Sequence, residues 1–116
     1  MTTLSNIVAN IRINRIKKNT MKIYISGQIT GLSLHEARGF FAKAEKELKN
    51  KGYEVINPMS CNLYEECKTW VDYMIESLEH LRACDGIYFL PNWSYSDGAQ
   101  IERLVAQKLE LEKIEL

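Results

Sequence analysis

From Met21 onward the chain alternates short β-rich runs with helix-length amphipathic stretches, and this alternation constrains its fold more than any other feature. Lys22-Ile23-Tyr24-Ile25-Ser26 is a β-branched and aromatic run that stops at Gly27. Ser33-Leu34-His35-Glu36 has the S-x-x-E form of a capping box. Behind it, Leu34, Ala37, Phe40, Phe41, Ala44 and Leu48 recur with the helical period, predicting one buried face, and Gly52 supplies a stop. Tyr53-Glu54-Val55-Ile56 reads as a second strand, ended by Asn57-Pro58. A loop is expected from there through Lys68. Thr69-Trp70-Val71-Asp72 opens a second helix, with Val71, Met74, Leu78 and Leu81 expected to face inward. Gly86-Ile87-Tyr88-Phe89-Leu90 is almost wholly apolar, as a strand covered on both faces should be, and Pro91 ends it. A third helix is expected to start near Ser96 or Asp97, with Ile101, Leu104, Val105 and Leu109 facing in. Ile114 and Leu116 suggest a short last strand.

Strands separated by helix-length spacers call for right-handed crossovers and a parallel sheet. The expected fold is a three-layer α/β domain over residues 21–116, flavodoxin- or Rossmann-like, with four strands (five at most) in the order 2-1-3-4. In that order the chain leaves strands 1 and 3 in opposite directions, and ligands bind in the crevice beyond their carboxyl ends. Two loops therefore meet at the expected site: Gly27-Gln28-Ile29-Thr30-Gly31 after strand 1, and residues 92–98 after strand 3.

Residues 1–20 read differently. They hold Arg12, Arg15, Lys17 and Lys18 and no acid, since the first acidic residue is Glu36. A flexible basic leader, or a domain that begins at Met21, is the expectation; a basic arm for phosphate backbones is the sharper alternative. Over the whole chain of 116 residues, Lys+Arg and Asp+Glu are both 15. That balance makes no global case for nucleic acid or an anionic membrane as partner. No apolar run approaches the ~18 residues of a membrane span, and Asn6, Asn10 and Arg12 interrupt any signal-peptide core. Cys61, Cys67 and Cys84 cannot all pair, which points to a reducing, cytoplasmic setting. With His80 they fit no zinc spacing, so no metal is expected.

The strand 3 loop carries the stronger chemical signal. The N-terminus of the third helix offers unpaired N–H groups and positive potential, and Ser96 adds a hydroxyl, together a seat for phosphate. Glu102 lies four residues past Gly98 on the same helical face, and helical side chains lean toward the N-terminus. Gly98 and Ala99 leave room above the carboxylate. One helical turn, ~5 Å, separates helix tip and carboxylate, comparable to the separation of a 5′-phosphate from the anomeric carbon of its sugar. A carboxylate there can attack that carbon or stabilise an oxocarbenium-like transition state. The competing reading is an exposed helix glutamate. In the strand 1 loop, Gly27 and Gly31 bracket a tight turn and Thr30 adds a hydroxyl. The spacing is neither a dinucleotide fingerprint nor a P-loop. Trp93 offers a surface on which a base could stack, whereas Trp70 reads as core cover at a helix start.

Residues 21–31, Val55-Ile56-Asn57-Pro58, the block from Ala83 to Pro91, and Ser96-x-Gly98-x-x-x-Glu102 together resemble a family of small uncharacterised phage and bacterial proteins. That family is similar to the nucleoside 2-deoxyribosyltransferases and the 2′-deoxynucleoside 5′-monophosphate N-glycosidases. The likeness covers residues 21 to about 112. It implies Glu102 as the nucleophile on C1′, Tyr24 beside it, Ser96 as a phosphate contact, and the Gly27–Gly31 loop around base and sugar. It also implies homo-oligomers and no metal or other cofactor. Two positions depart from the pattern. The enzymes carry an aspartate that aids protonation of the departing base; counting eight back from Asp85 gives Ser77, which cannot act as a general acid. Tyr73, one turn earlier, Asp72 and Asp97 could compensate. Gln28 stands where the small family has proline, and glutamine could read a base edge. The expected function is binding of a (deoxy)nucleoside or its 5′-monophosphate, with cleavage or transfer at the N-glycosidic bond. The alternatives are a non-catalytic nucleotide-sensing module and a nucleic-acid accessory protein working through the basic arm.

Overall fold

A computed structural model describes residues 20–61 and 68–116. Most of the expected leader therefore lies outside the described residues, as does Cys67. The elements follow in the order β1 (Lys22–Ser26), α1 (Leu34–Asn50), β2 (Glu54–Ile56), α2 (Pro58–Cys61), α3 (Trp70–Leu81), β3 (Gly86–Phe89), a 3₁₀ turn (Trp93–Tyr95), α4 (Asp97–Lys108) and β4 (Glu112–Lys113). The sheet is four-stranded in the order β2-β1-β3-β4, and every pairing is parallel. Register sets Tyr24 between Ile56 on one side and Ile87 on the other.

The strand order distributes the helices. Going from β1 to β2 the chain moves one way across the sheet, and from β2 to β3 to β4 it moves the other. Right-handed crossovers then put α1 on one face and α3 and α4 on the opposite face. The alternation of β1 serves both layers. Ile23 and Ile25 pack with Phe41, Ala44 and Leu48 of α1, while Tyr24 packs with Leu81, Ile87 and Ala106. This is an α/β/α sandwich with a Rossmann-like sheet.

Local signals fix the helix ends. Ser33 with Glu36, and Thr69 with Asp72, form complete capping boxes, and Ser96 caps α4 by accepting from the Ala99 N–H. Gly52, at φ 93°, takes the left-handed turn after α1.

Several inward-facing expectations need correction. Leu34, Phe40, Val71, Ile101 and Leu104 are exposed. Helix α1 packs through the narrower row Ala37, Phe41, Ala44 and Leu48, which Leu34 and Phe40 flank on either side. The buried side of α3 carries Ser77 and Leu81, and that of α4 carries Ala99, Glu102 and Ala106. Ile101 and Leu104 are on the far side of α4. The expected loop after Pro58 begins with the short helix α2, because Asn57 accepts from the Met59 N–H and proline is at home in a first turn. The last strand is Glu112–Lys113 rather than Ile114 and Leu116, and Ile114 is buried against the α1 layer. Among the described residues no helix is long and apolar enough to cross a membrane.

Candidate active site

Strand periodicity puts Tyr24 and Ser26 on the same face of β1, aimed at α4. Helix α4 approaches the sheet closely because the buried residues flanking Glu102 on that side are alanines, Ala99 and Ala106. Glu102 lies between them, only 6% exposed, and its carboxylate meets the strand. The Tyr24 hydroxyl donates to Oε2 at 2.5 Å and the Ser26 hydroxyl donates to Oε1 at 2.7 Å. Each carboxylate oxygen thus has one donor, and both donors come from one strand. Ser77, 7% exposed on α3, hydrogen-bonds the Tyr24 phenol in turn.

Burial dominates the electrostatics. Removal from water pushes the Glu102 carboxyl up to about 7, against the pull of the Tyr24 and Ser26 hydrogen bonds, which favour the ionised form. Burial, with the neighbouring Glu102 charge adding to it, holds the Tyr24 phenol well above its ordinary range, so it remains a donor. The result is a carboxylate that changes charge near neutrality.

Glu102 looks into a cleft of about 90 Å³ beyond the carboxyl ends of β1 and β3. Gly27, Ile29 and Thr30 form one side, with Phe41, Pro58 and Met59 behind them. Trp70, Tyr73, Met74 and Ser77 of α3 form the other, and Ser96, Gly98 and Ala99 close the end. The two loops are tied together, since the Gln28 N–H donates to Asn92 Oδ1 at 3.0 Å.

Of the residues singled out from sequence, Tyr24, Gly27, Ile29, Thr30, Tyr73, Ser96, Gly98 and Glu102 line this cleft. Gln28 and Gly31 do not. The Gln28 side chain donates to the Thr30 carbonyl at 3.1 Å, and Gly31 turns the loop at φ 94°. Trp93, expected as a surface for a base, does not line this cleft either. Its ring lies 5.3 Å from that of Phe89, with the Arg103 guanidinium 5.6 Å from its centre, and it borders a separate cavity of about 240 Å³. Ser96 keeps a proton to donate, although its oxygen is engaged by the Ala99 N–H.

Sequence reasoning missed Ser26, Met59 and Met74, and it assigned Trp70 to the core. Ser26 had a signal, being two residues past Tyr24 and hence on the same strand face. Met59 had one too, because Asn57-Pro58 is a helix start as much as a strand stop. Met74 belongs by its spacing to the expected inward face of α3; its sulfur would lie 3.0 Å from a Cβ on Gly98, so it packs where α4 begins. Among the described residues no group of three or more His, Cys, Asp or Glu side chains could hold a metal ion.

No curated protein matches the chain. Residues 21–114 match the family described as "Domain of unknown function (DUF4406)", and the chain belongs to that family.

Proposed function

We propose that this DUF4406 protein binds a nucleoside, deoxy or ribo, or its 5′-monophosphate, and breaks the N-glycosidic bond through Glu102. One observation carries the reading: a buried carboxylate, gripped on both oxygens by Tyr24 and Ser26, opens onto a cleft at the topological switch point. The resemblance to nucleoside 2-deoxyribosyltransferases and nucleotide N-glycosidases supports the same assignment.

The sugar lies over Gly98 and Ala99 with C1′ facing Glu102. Ionised Glu102 attacks C1′ as the bond to the base breaks, giving a sugar ester of the enzyme; water, or a second base, then displaces the carboxylate. Tyr24 and Ser26 fix the direction of attack by holding one lone pair on each oxygen. Ser96 and the first N–H groups of α4 meet a 5′-substituent. No metal or other cofactor takes part in this scheme, and the protein works as a homo-oligomer in the cytoplasm. The exposed Val71, Ile75, Ile101 and Leu104 on α3 and α4 favour self-association.

The test is incubation with nucleosides and nucleoside monophosphates and chromatography for free base. Release that disappears in Glu102→Gln supports the reading; no release from any substrate removes it. A second reading, a non-catalytic nucleotide-binding module, is favoured by Ser77, a hydroxyl in the cleft that cannot protonate a departing base. Thermal stabilisation by a nucleotide without turnover selects that reading.

A further inference from the structure

The cleft combines one carboxylate with aromatic and thioether walls. Glu102 is at its floor, Trp70 and Tyr73 line one side, and Met59 and Met74 add polarisable sulfur. Among the described residues lining it, Glu102 holds the one carboxyl group. The other protic side chains among them are hydroxyls and the Trp70 indole. No lysine, arginine or histidine is among these lining residues. Lys68, 5.6 Å from the centre of the Tyr73 ring, is neutralised by Glu76 at 2.6 Å.

Two consequences converge. An anionic floor beneath π-rich and sulfur-rich walls favours a flat ring that carries positive charge. A neutral nucleobase departs as an anion unless an acid protonates it, and Glu102 cannot be acid and nucleophile in one step. A base that is already cationic while bonded to the sugar, such as a quaternised purine or a pyridinium, departs neutral and needs no proton.

We infer that the leaving group this cleft serves is a cationic heteroaromatic base. The inference rests on the reading of Glu102 as the nucleophile. The carboxylate oxygen forms a bond to C1′, and the C1′–N bond breaks with its electron pair going to the ring nitrogen, cancelling the ring's charge. Water then forms a bond to C1′, the ester C1′–O bond breaks with its pair returning to Glu102, and the water proton passes to solvent.

The experiment compares matched pairs that differ by one methyl group: guanosine with 7-methylguanosine, and 2′-deoxyguanosine with its 7-methyl derivative, each with and without a 5′-phosphate. Base release is measured with the full-length protein and with Glu102→Gln, subtracting spontaneous hydrolysis. General acids contribute about 100-fold or more, so a cleft whose described lining offers no second carboxyl, imidazole or amine should release the methylated base at least about 100-fold faster than guanine. A smaller ratio, with release still dependent on Glu102, overturns the inference and leaves the glycosidase reading standing. No Glu102-dependent release from any of these compounds overturns both.

Discussion

A methyl group placed on the α-carbon of Gly27 would lie 2.5 Å from Cδ1 of Leu90 and 2.8 Å from its Cβ. Leu90 is itself buried, in the layer that packs α1 on the sheet. The close approach lets the chain turn out of β1 directly against the end of β3, which brings the two loops of the cleft together. Gly27→Ala is expected to destabilise the fold by about 1–3 kcal/mol through overpacking. Urea unfolding should show a lower midpoint with an unchanged slope.

The Tyr24 hydroxyl opposes the rise that burial imposes on the Glu102 carboxyl. Its hydrogen bond favours the ionised form, so removing it in Tyr24→Phe should move the Glu102 carboxyl above its present value of about 7. Hydrogen bonds to charged groups are worth about 1.5–3 kcal/mol, equivalent to roughly one to two pH units. If ionised Glu102 is the nucleophile, the wild-type rate of base release climbs as pH rises through about 7. In Tyr24→Phe the same climb occurs at higher pH. A pH–rate profile checks this, and a curve that stays in place excludes Tyr24 from the role.

Much of this architecture is legible in the chain. The capping residues Ser33, Thr69 and Ser96, the stop at Gly52 and the apolar run from Gly86 give the elements, and the expected order 2-1-3-4 is the one the sheet adopts. Helix rotation is what misleads. Helices α3 and α4 turn Ser77 and Glu102 toward the sheet, whereas Val71, Ile101 and Leu104 face out. A hydrophobic-stripe argument rotates α4 away from its true face, because it gives no weight to a buried carboxylate; on α3 it includes the exposed Val71 and passes over Ser77, while Leu81 is buried as expected. The compensation for that carboxylate is Tyr24 and Ser26, 78 and 76 residues away in sequence, and no local pattern reports a pairing at that distance. The cleft wall from Met59 was hidden for a related reason, since Asn57-Pro58 signals both the end of a strand and the start of a helix.

The Ser33 cap offers a control remote from Glu102. Its hydroxyl accepts from the Glu36 N–H at 3.1 Å, and the Glu36 carboxylate accepts from the Ser33 N–H at 3.4 Å. Ser33→Ala removes the first of these and should cost about 1 kcal/mol. Base release, if present, should keep its pH midpoint. Denaturant titration and the same pH–rate profile test the two halves of that expectation.

Glu102 should also mark the stability of the fold with pH. Its carboxyl moves from an ordinary 4.5 to about 7 in the folded protein, chiefly because burial penalises the charge. Below about 4.5 the group is protonated whether the chain is folded or not, and its contribution is at its most favourable. Between about 4.5 and 7 the unfolded chain gives up this proton first, so stability falls as pH rises; above 7 both states are ionised and the loss is complete. The full loss is on the order of 3 kcal/mol. Glutamine carries no charge to bury, so Glu102→Gln should be more stable relative to wild type at pH 8 than at pH 4. The measurement is the Tm of both proteins at the two pH values. A difference that is the same at both would mean that ionising Glu102 costs the folded state nothing.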